Sequence, residues 1–128
     1  MMPLLLLAVA SLDLGQLDQA IARCDRGVAS PAFASETARR SRFLMDTYRE
    51  QEAIVAARLA LAERRRELRE ATRKAVAEER SLALEEAGIE DRQRALNDQR
   101  LLEGIRKDAI DSMRRHFLAH CPAGQDKR

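Results

Sequence analysis

Aromatic residues are scarce in this chain: no Trp, one Tyr and three Phe among 128 residues, 3% in all. Hydrophobic residues still make up 45%, so the apolar content is mostly Ala and Leu. A core built from these is thin, closer to a helical hairpin or bundle than to a globule. Proline and glycine are also rare, at three and five, which leaves long stretches with nothing to break a helix. Neither charge sign dominates. The 23 basic and 21 acidic residues leave a net charge of +2, too small by itself to argue for a nucleic-acid or membrane-surface partner. No apolar run approaches the ~18 residues of a membrane span. The length allows one domain.

What is present is a repeating apolar stripe. Ile54, Leu61, Leu68, Ala75, Leu82, Ile89 and Leu96 stand at steps of seven, and after a lapse at Glu103 the step resumes at Ile110 and Phe117. Such spacing keeps one helix face aimed at one neighbour over a great length. Ala, Leu, Glu and Arg, abundant throughout, are good helix formers with little use in a sheet. The fold class expected is all-α.

Upstream of the stripe, Leu14, Leu17, Ile21, Cys24 and Val28 alternate steps of three and four, the mark of one helix face. The reading is a short helix over 12–26, ended by Gly27 as a left-handed cap. Residues 27–35 carry loop signals, and Ser35 is placed to cap a long helix over 36–87. A turn near Gly88 would fit a Schellman ending, with Ile89 touching Leu84. A second helix over 90–120 and a disordered tail over 122–128 complete a hairpin with coiled-coil-like packing. The competing arrangement is one continuous helix that dimerises, because the heptad runs through Gly88 in phase. Against it stand the positions three after the stripe: Ala57, Arg64, Ala71, Glu78, Glu85, Arg92 and Gln99. Charges there make a poor symmetric coiled coil, whereas an antiparallel arm covering one narrow stripe asks less.

The N-terminus reads as a signal peptide over 1–10: a short Leu run closed by Ala8-Val9-Ala10, a small-residue cleavage site, although no Lys or Arg precedes Pro3. A rival reading rests on Leu7, Ala8, Gly15, Ala20, Gly27 and Pro31, whose spacing resembles a tetratricopeptide repeat. The resemblance covers about 25 residues, with a fainter echo at Gln51-Glu52-Ala53-Ile54 and Ala60-Leu61, and implies a cytosolic helical scaffold.

Cys24 and Cys121 lie near opposite ends of the mature chain, the latter on a ridge of Leu101, Ile105, Ala109, Met113 and Phe117. In an exported chain an even pair is most simply one disulfide. A turn at Gly88 would leave Cys121 roughly 30 Å along the long helix from its start. The loop between Cys24 and that start can span roughly 36 Å, so the bridge is within reach.

Chemistry is thinly represented. His116, His120 and Cys121 are the only metal-like cluster, but cationic histidines suit a helix C-terminus without any metal. Arg64, Arg65, Arg66, Arg69, Arg73 and Lys74 form a basic stretch interleaved with glutamates, as in Glu70–Lys74 at i,i+4, and read as a solvated, salt-bridged face. No glycine-rich loop and no nucleophile beside a base is found. The expectation is a non-enzymatic, exported helical interaction protein, adaptor or chaperone-like, periplasmic or secreted. It would need no cofactor or metal, bind a protein and no nucleic acid, and exist as monomer or homodimer; a cytoplasmic scaffold is the alternative.

Overall fold

The computed structural model of the protein describes residues 13–71 and 76–122. The expected signal peptide, Leu7 and Ala8 of the repeat-like pattern, Arg73 and Lys74 of the basic stretch, Ala75 of the stripe and the tail beyond Pro122 lie outside them. Three helices are present: α1 (Leu14–Ala22), α2 (Arg26–Glu70) and α3 (Val76–His120). Among the described residues there is no strand. The two 45-residue helices pack against each other as an antiparallel hairpin. The all-α hairpin with a short leading helix is therefore the fold of the chain.

Its boundaries differ from those expected, in three places. The turn is not at Gly88. Gly88 is an exposed residue inside α3, and the arms join between Glu70 and Val76. A lone helical glycine costs only about 1 kcal/mol relative to Ala, less than keeping the stripe in phase through it returns. Gly27 is not a cap, and 27–35 is not a loop. α2 begins where the Asp25 carbonyl accepts from the amides of Val28 and Ala29 (3.3 and 2.8 Å), so Ser35 lies inside the helix. Pro31 also sits within α2, near enough to its start that its missing N–H leaves one carbonyl, that of Gly27, without a helical donor. Burial of Ala29, Ala32 and Phe33 around it outweighs that loss.

The break between α1 and α2 falls instead at Cys24, the one described non-glycine residue with positive φ (53°). The amide of Cys24 donates to Ile21 (3.0 Å) and that of Asp25 to Ala20 (2.8 Å). These two bonds define a Schellman motif, with Cys24 in the position glycine usually takes. At the other end of α1 the Asp13 carboxylate accepts from the Gly15 amide at 2.9 Å, satisfying one of the orphan donors of the first turn. This layout also removes the tetratricopeptide reading: α1 has nine residues, and Pro31, which would close the repeat, lies inside a helix that runs on to Glu70.

The described residues divide into two compact units, the first holding those up to Phe43 and from Gly104 onward, the second Leu44–Glu103. In the second unit the core is Ile54, Leu61, Leu82, Ile89 and Leu96, with Leu68 half-buried beside them. The stripe thus folds onto itself. Leu68 and Leu82 line one groove and Leu61 and Ile89 another, and these pairs, with Ile54 and Leu96, are mirror-related in sequence about position 75. The next pair of that sequence mirror is Thr47 and Glu103; both are buried and both have partners. The lapse in the stripe is therefore a polar layer and not a gap. In the first unit, the core gathers Leu17 and Ile21 of α1, Ala29, Ala32 and Phe33 of α2, and Ile110, Phe117 and Cys121. There the Phe33 and Phe117 rings meet at 5.9 Å, tilted by 52°.

Candidate functional site

The first unit is closed by a covalent bond. Cys24 and Cys121 are joined as a disulfide, their Cα atoms 5.4 Å apart and 97 positions apart in sequence. It ties the αL residue that ends α1 to the residue just past α3. Arg26 completes this end: its guanidinium lies 5.3 Å from the Phe117 ring centre and donates to the Cys121 carbonyl. A cation over an aromatic face and at a helix C-terminus is favoured on both counts. His116 and His120, both exposed, stack at 4.0 Å, and the His120 ring nitrogen lies 3.0 Å from the His116 carbonyl. With the Cys121 sulfur taken by the disulfide, the His116, His120 and Cys121 cluster is not a ligand set. Among the described residues no group of three His, Cys, Asp or Glu side chains could hold a metal ion.

Further along the same unit a buried carboxylate is clamped by two guanidiniums. Glu36, 8% exposed, accepts from Arg106 through both oxygens (2.8 and 3.1 Å) and from Arg39 through one (3.0 and 2.7 Å). Burial alone would raise its pKa. The hydrogen bonds from Arg106 and Arg39 and their positive charges overcome this and hold it at about 2, against an ordinary 4.5. A fork-to-fork arginine contact of this kind fixes direction as well as charge. Nearby, Lys107 binds Asp111 at 2.5 Å and pulls that carboxyl below its ordinary range against a smaller effect of burial, with Arg115 and Arg40 adding to the pull. Nothing in the sequence marked Glu36 or Arg106, because their relation exists only once the arms are paired.

In the second unit the charges expected to pair along one helix mostly pair across the hairpin. Arg64 binds Glu85, Arg65 binds Glu86, Arg58 reaches Glu90 at 3.2 Å, and Arg92 reaches Glu50 at 2.8 Å. Arg66 and Arg94 turn back to their own helices, to Glu63 and Asp91. Gln51 and Gln93 exchange amide bonds at 3.0 and 3.1 Å, with Arg100 also donating to Gln51 at 3.0 Å. The positions that spoil a symmetric coiled coil, such as Arg64, Glu85 and Arg92, are thus the ones that join the arms. The Arg65 guanidinium lowers the pKa of the exposed Glu86 carboxyl, and its own is raised in return. The basic stretch is a salt-bridged face as far as Arg66.

The remaining concavities are open grooves. One of about 340 Å³ is lined by Arg58, Leu61, Arg65, Arg69, Glu86 and Ile89, another of about 220 Å³ by Arg26, Ser30, Phe33, Arg114, Phe117 and Leu118. The carboxyls with lowered pKa are held in ion pairs, so they cannot readily exchange protons near neutral pH. Set beside this, much apolar surface stays outside. Val28, Leu44, Met45, Tyr48, Val55, Leu59, Val76, Leu84, Leu101, Leu102, Ile105 and Leu118 are all exposed. No described helix is long and apolar enough to cross a membrane. The sequence places Val28, Leu101 and Ile105 on apolar helix ridges and Leu84 in a turn contact, but marks none of the twelve as exposed, since a stripe search ranks residues by phase and not by exposure. Comparison with protein-family models, with curated proteins and with solved structures gives no match to this chain.

Proposed function

We propose that this chain is a non-enzymatic, exported interaction protein, an adaptor or chaperone-like module that acts by holding another protein. The observation that supports the reading most is the balance of apolar side chains. Among the described residues, more large ones stand exposed on the helices, twelve, than the ten that are buried. A monomer that served only its own stability would leave fewer in contact with water; exposed apolar groups set among charges are what a partner's surface uses. The disulfide supports export, because a cytosol would keep those thiols reduced. The cross-arm ion pairs support a rigid scaffold.

The test is crosslinking in the native host followed by mass spectrometry, at about 0.1 M and about 1 M salt, with the Debye length falling from about 10 Å to about 3 Å. Reproducible crosslinks to one envelope protein, lost when Leu101, Leu102 and Ile105 are replaced by Ser, are the expected result. Intact mass of the same material should show a chain beginning at Ser11. Full-length chain recovered from the cytosol with two free thiols would overturn export. A reaction turned over by the purified protein, abolished by a single substitution, would overturn the non-enzymatic reading.

A further inference from the structure

Within the second unit, one exposed strip on α2 has an order that the others lack. Leu44, Tyr48, Val55 and Leu59 are 51, 63, 46 and 68% exposed and recur at spacings of four, seven and four. At about 100° per residue these four fall within one face of the helix, well away from Ile54 and Leu61, which point to α3. The spacing reads the same in both directions from a midpoint between Gln51 and Glu52. We infer that this face of α2 is a self-association surface, on which a second copy of the chain packs antiparallel, α2 against α2, about a two-fold axis at Gln51 and Glu52.

The argument rests on self-complementarity. A two-fold contact brings one patch against itself, so each residue meets the one at the mirror position. Here the mirror gives Leu44 the Leu59 of the second copy and Tyr48 its Val55, with Met45, 56% exposed, alongside that Leu59. Every apolar member meets an apolar member, twice over. An unrelated partner would place no such demand on the spacing. At the centre the axis sets Glu52 of each copy beside Glu52 of the other, with Arg49 of each copy flanking them, so two acidic and two basic side chains meet there. Four side chains offer less than the ~800 Å² per partner of a standard interface, so the dimer is a weak one. This surface is separate from the Leu101, Leu102 and Ile105 side chains used to test the partner, and the two readings fail independently.

Sedimentation velocity on the full chain, from about 5 µM to about 500 µM, should show a monomer passing to a dimer. Leu44→Glu and Leu59→Lys each set a charge against leucine in both halves of the contact, and each should weaken association on the order of ten-fold or more. An equimolar mixture of the two should recover it, because one half then joins the two new charges and the other keeps Leu59 against Leu44. Both sites are exposed, so helix content and melting should stay as in the parent. A further readout needs no substitution. Tyr48 is the only tyrosine, and there is no tryptophan, so acrylamide quenching of the intrinsic emission should fall as concentration rises. A chain monomeric throughout the range overturns the proposal and leaves the strip to a different protein. So does a dimer indifferent to both variants, or a mixture no better than its parents.

Discussion

Acidification isolates the Glu36 clamp. Its carboxyl has a folded pKa of about 2 and an ordinary value of 4.5, so the native state binds this proton less readily than the unfolded chain. The sign follows: its contribution is fully present above about pH 4.5 and is lost as pH falls through 2. At about 1.4 kcal/mol for each unit of pKa, the contribution is about 3 kcal/mol. Arg106 and Arg39 keep 25% and 21% of their side chains in water, so screening trims it, and about 2 kcal/mol is the working figure. The perturbation is Glu36→Gln, which keeps the shape and removes the charge. Urea unfolding followed by circular dichroism, at pH 6 and pH 2, gives four stabilities. The parent should lose about 2 kcal/mol more than the variant between the two pH values, and the curves should converge at pH 2. Differencing removes the other carboxylates, Glu86 and Asp111 among them. Carboxyl carbon NMR supplies the direct check. A Glu36 resonance that titrates near 4.5, or two variants with parallel pH profiles, would refute the clamp.

Three further outcomes are expected. Leu96→Ala should cost about 3 kcal/mol, because that side chain is 1% exposed and cannot be replaced without a cavity; Leu84→Ala, 76% exposed on the same helix, should stay within about 0.5 kcal/mol. Gly88→Ala should raise the melting temperature, since a methyl there meets nothing within 4 Å and alanine favours the helix by about 1 kcal/mol; destabilisation would mean a turn at that position after all. Replacing Cys24 and Cys121 together by Ser should lower stability by up to about 4–5 kcal/mol, the chain-entropy value for a loop near 100 residues, and non-reducing peptide mapping of the parent should yield one cross-linked pair joining their peptides.

The hairpin was legible because its signal is a phase, and phase survives individual lapses. Ile54 to Leu96 told of a narrow buried face, and the charged positions three residues later told against a symmetric partner. Where the arms join was not legible. Gly88 offered the only strong local break, but tertiary register overrode it, and the connection lies in a stretch with neither Gly nor Pro. The same override hid the start of α2: Gly27 and Pro31 look like loop residues, yet Ala29, Ala32 and Phe33 are worth more buried than the helix loses at Pro31. Phe33 and Thr47 belong to the heptad of α2, but Arg40 and Thr47 are polar, so the apolar pattern in the sequence begins at Ile54. Cys24 could be read as a disulfide partner; that it also takes a left-handed turn could not, since cysteine carries no such preference. Glu36 with Arg106 exists only as a relation of neighbours in space; the spacing of the strip from Leu44 to Leu59 is in the sequence, but its exposure is not.

The mirror register of the second unit also constrains how a chain of this design can change its length. Excising Leu61–Glu67 alone would keep both helices in phase, yet Ile54 would then meet Ile89 and Thr47 would meet Leu96, a hydroxyl set against a leucine. Removing Ile89–Ala95 as well would return Leu96 to Ile54 and leave the polar layer intact. A gain or loss of one residue in one arm would turn everything beyond it by about 100° and aim the stripe at water. Viable length variants should therefore arise only as facing pairs of heptads, one from each arm, so the unit of growth in this hairpin is a whole layer and not a residue.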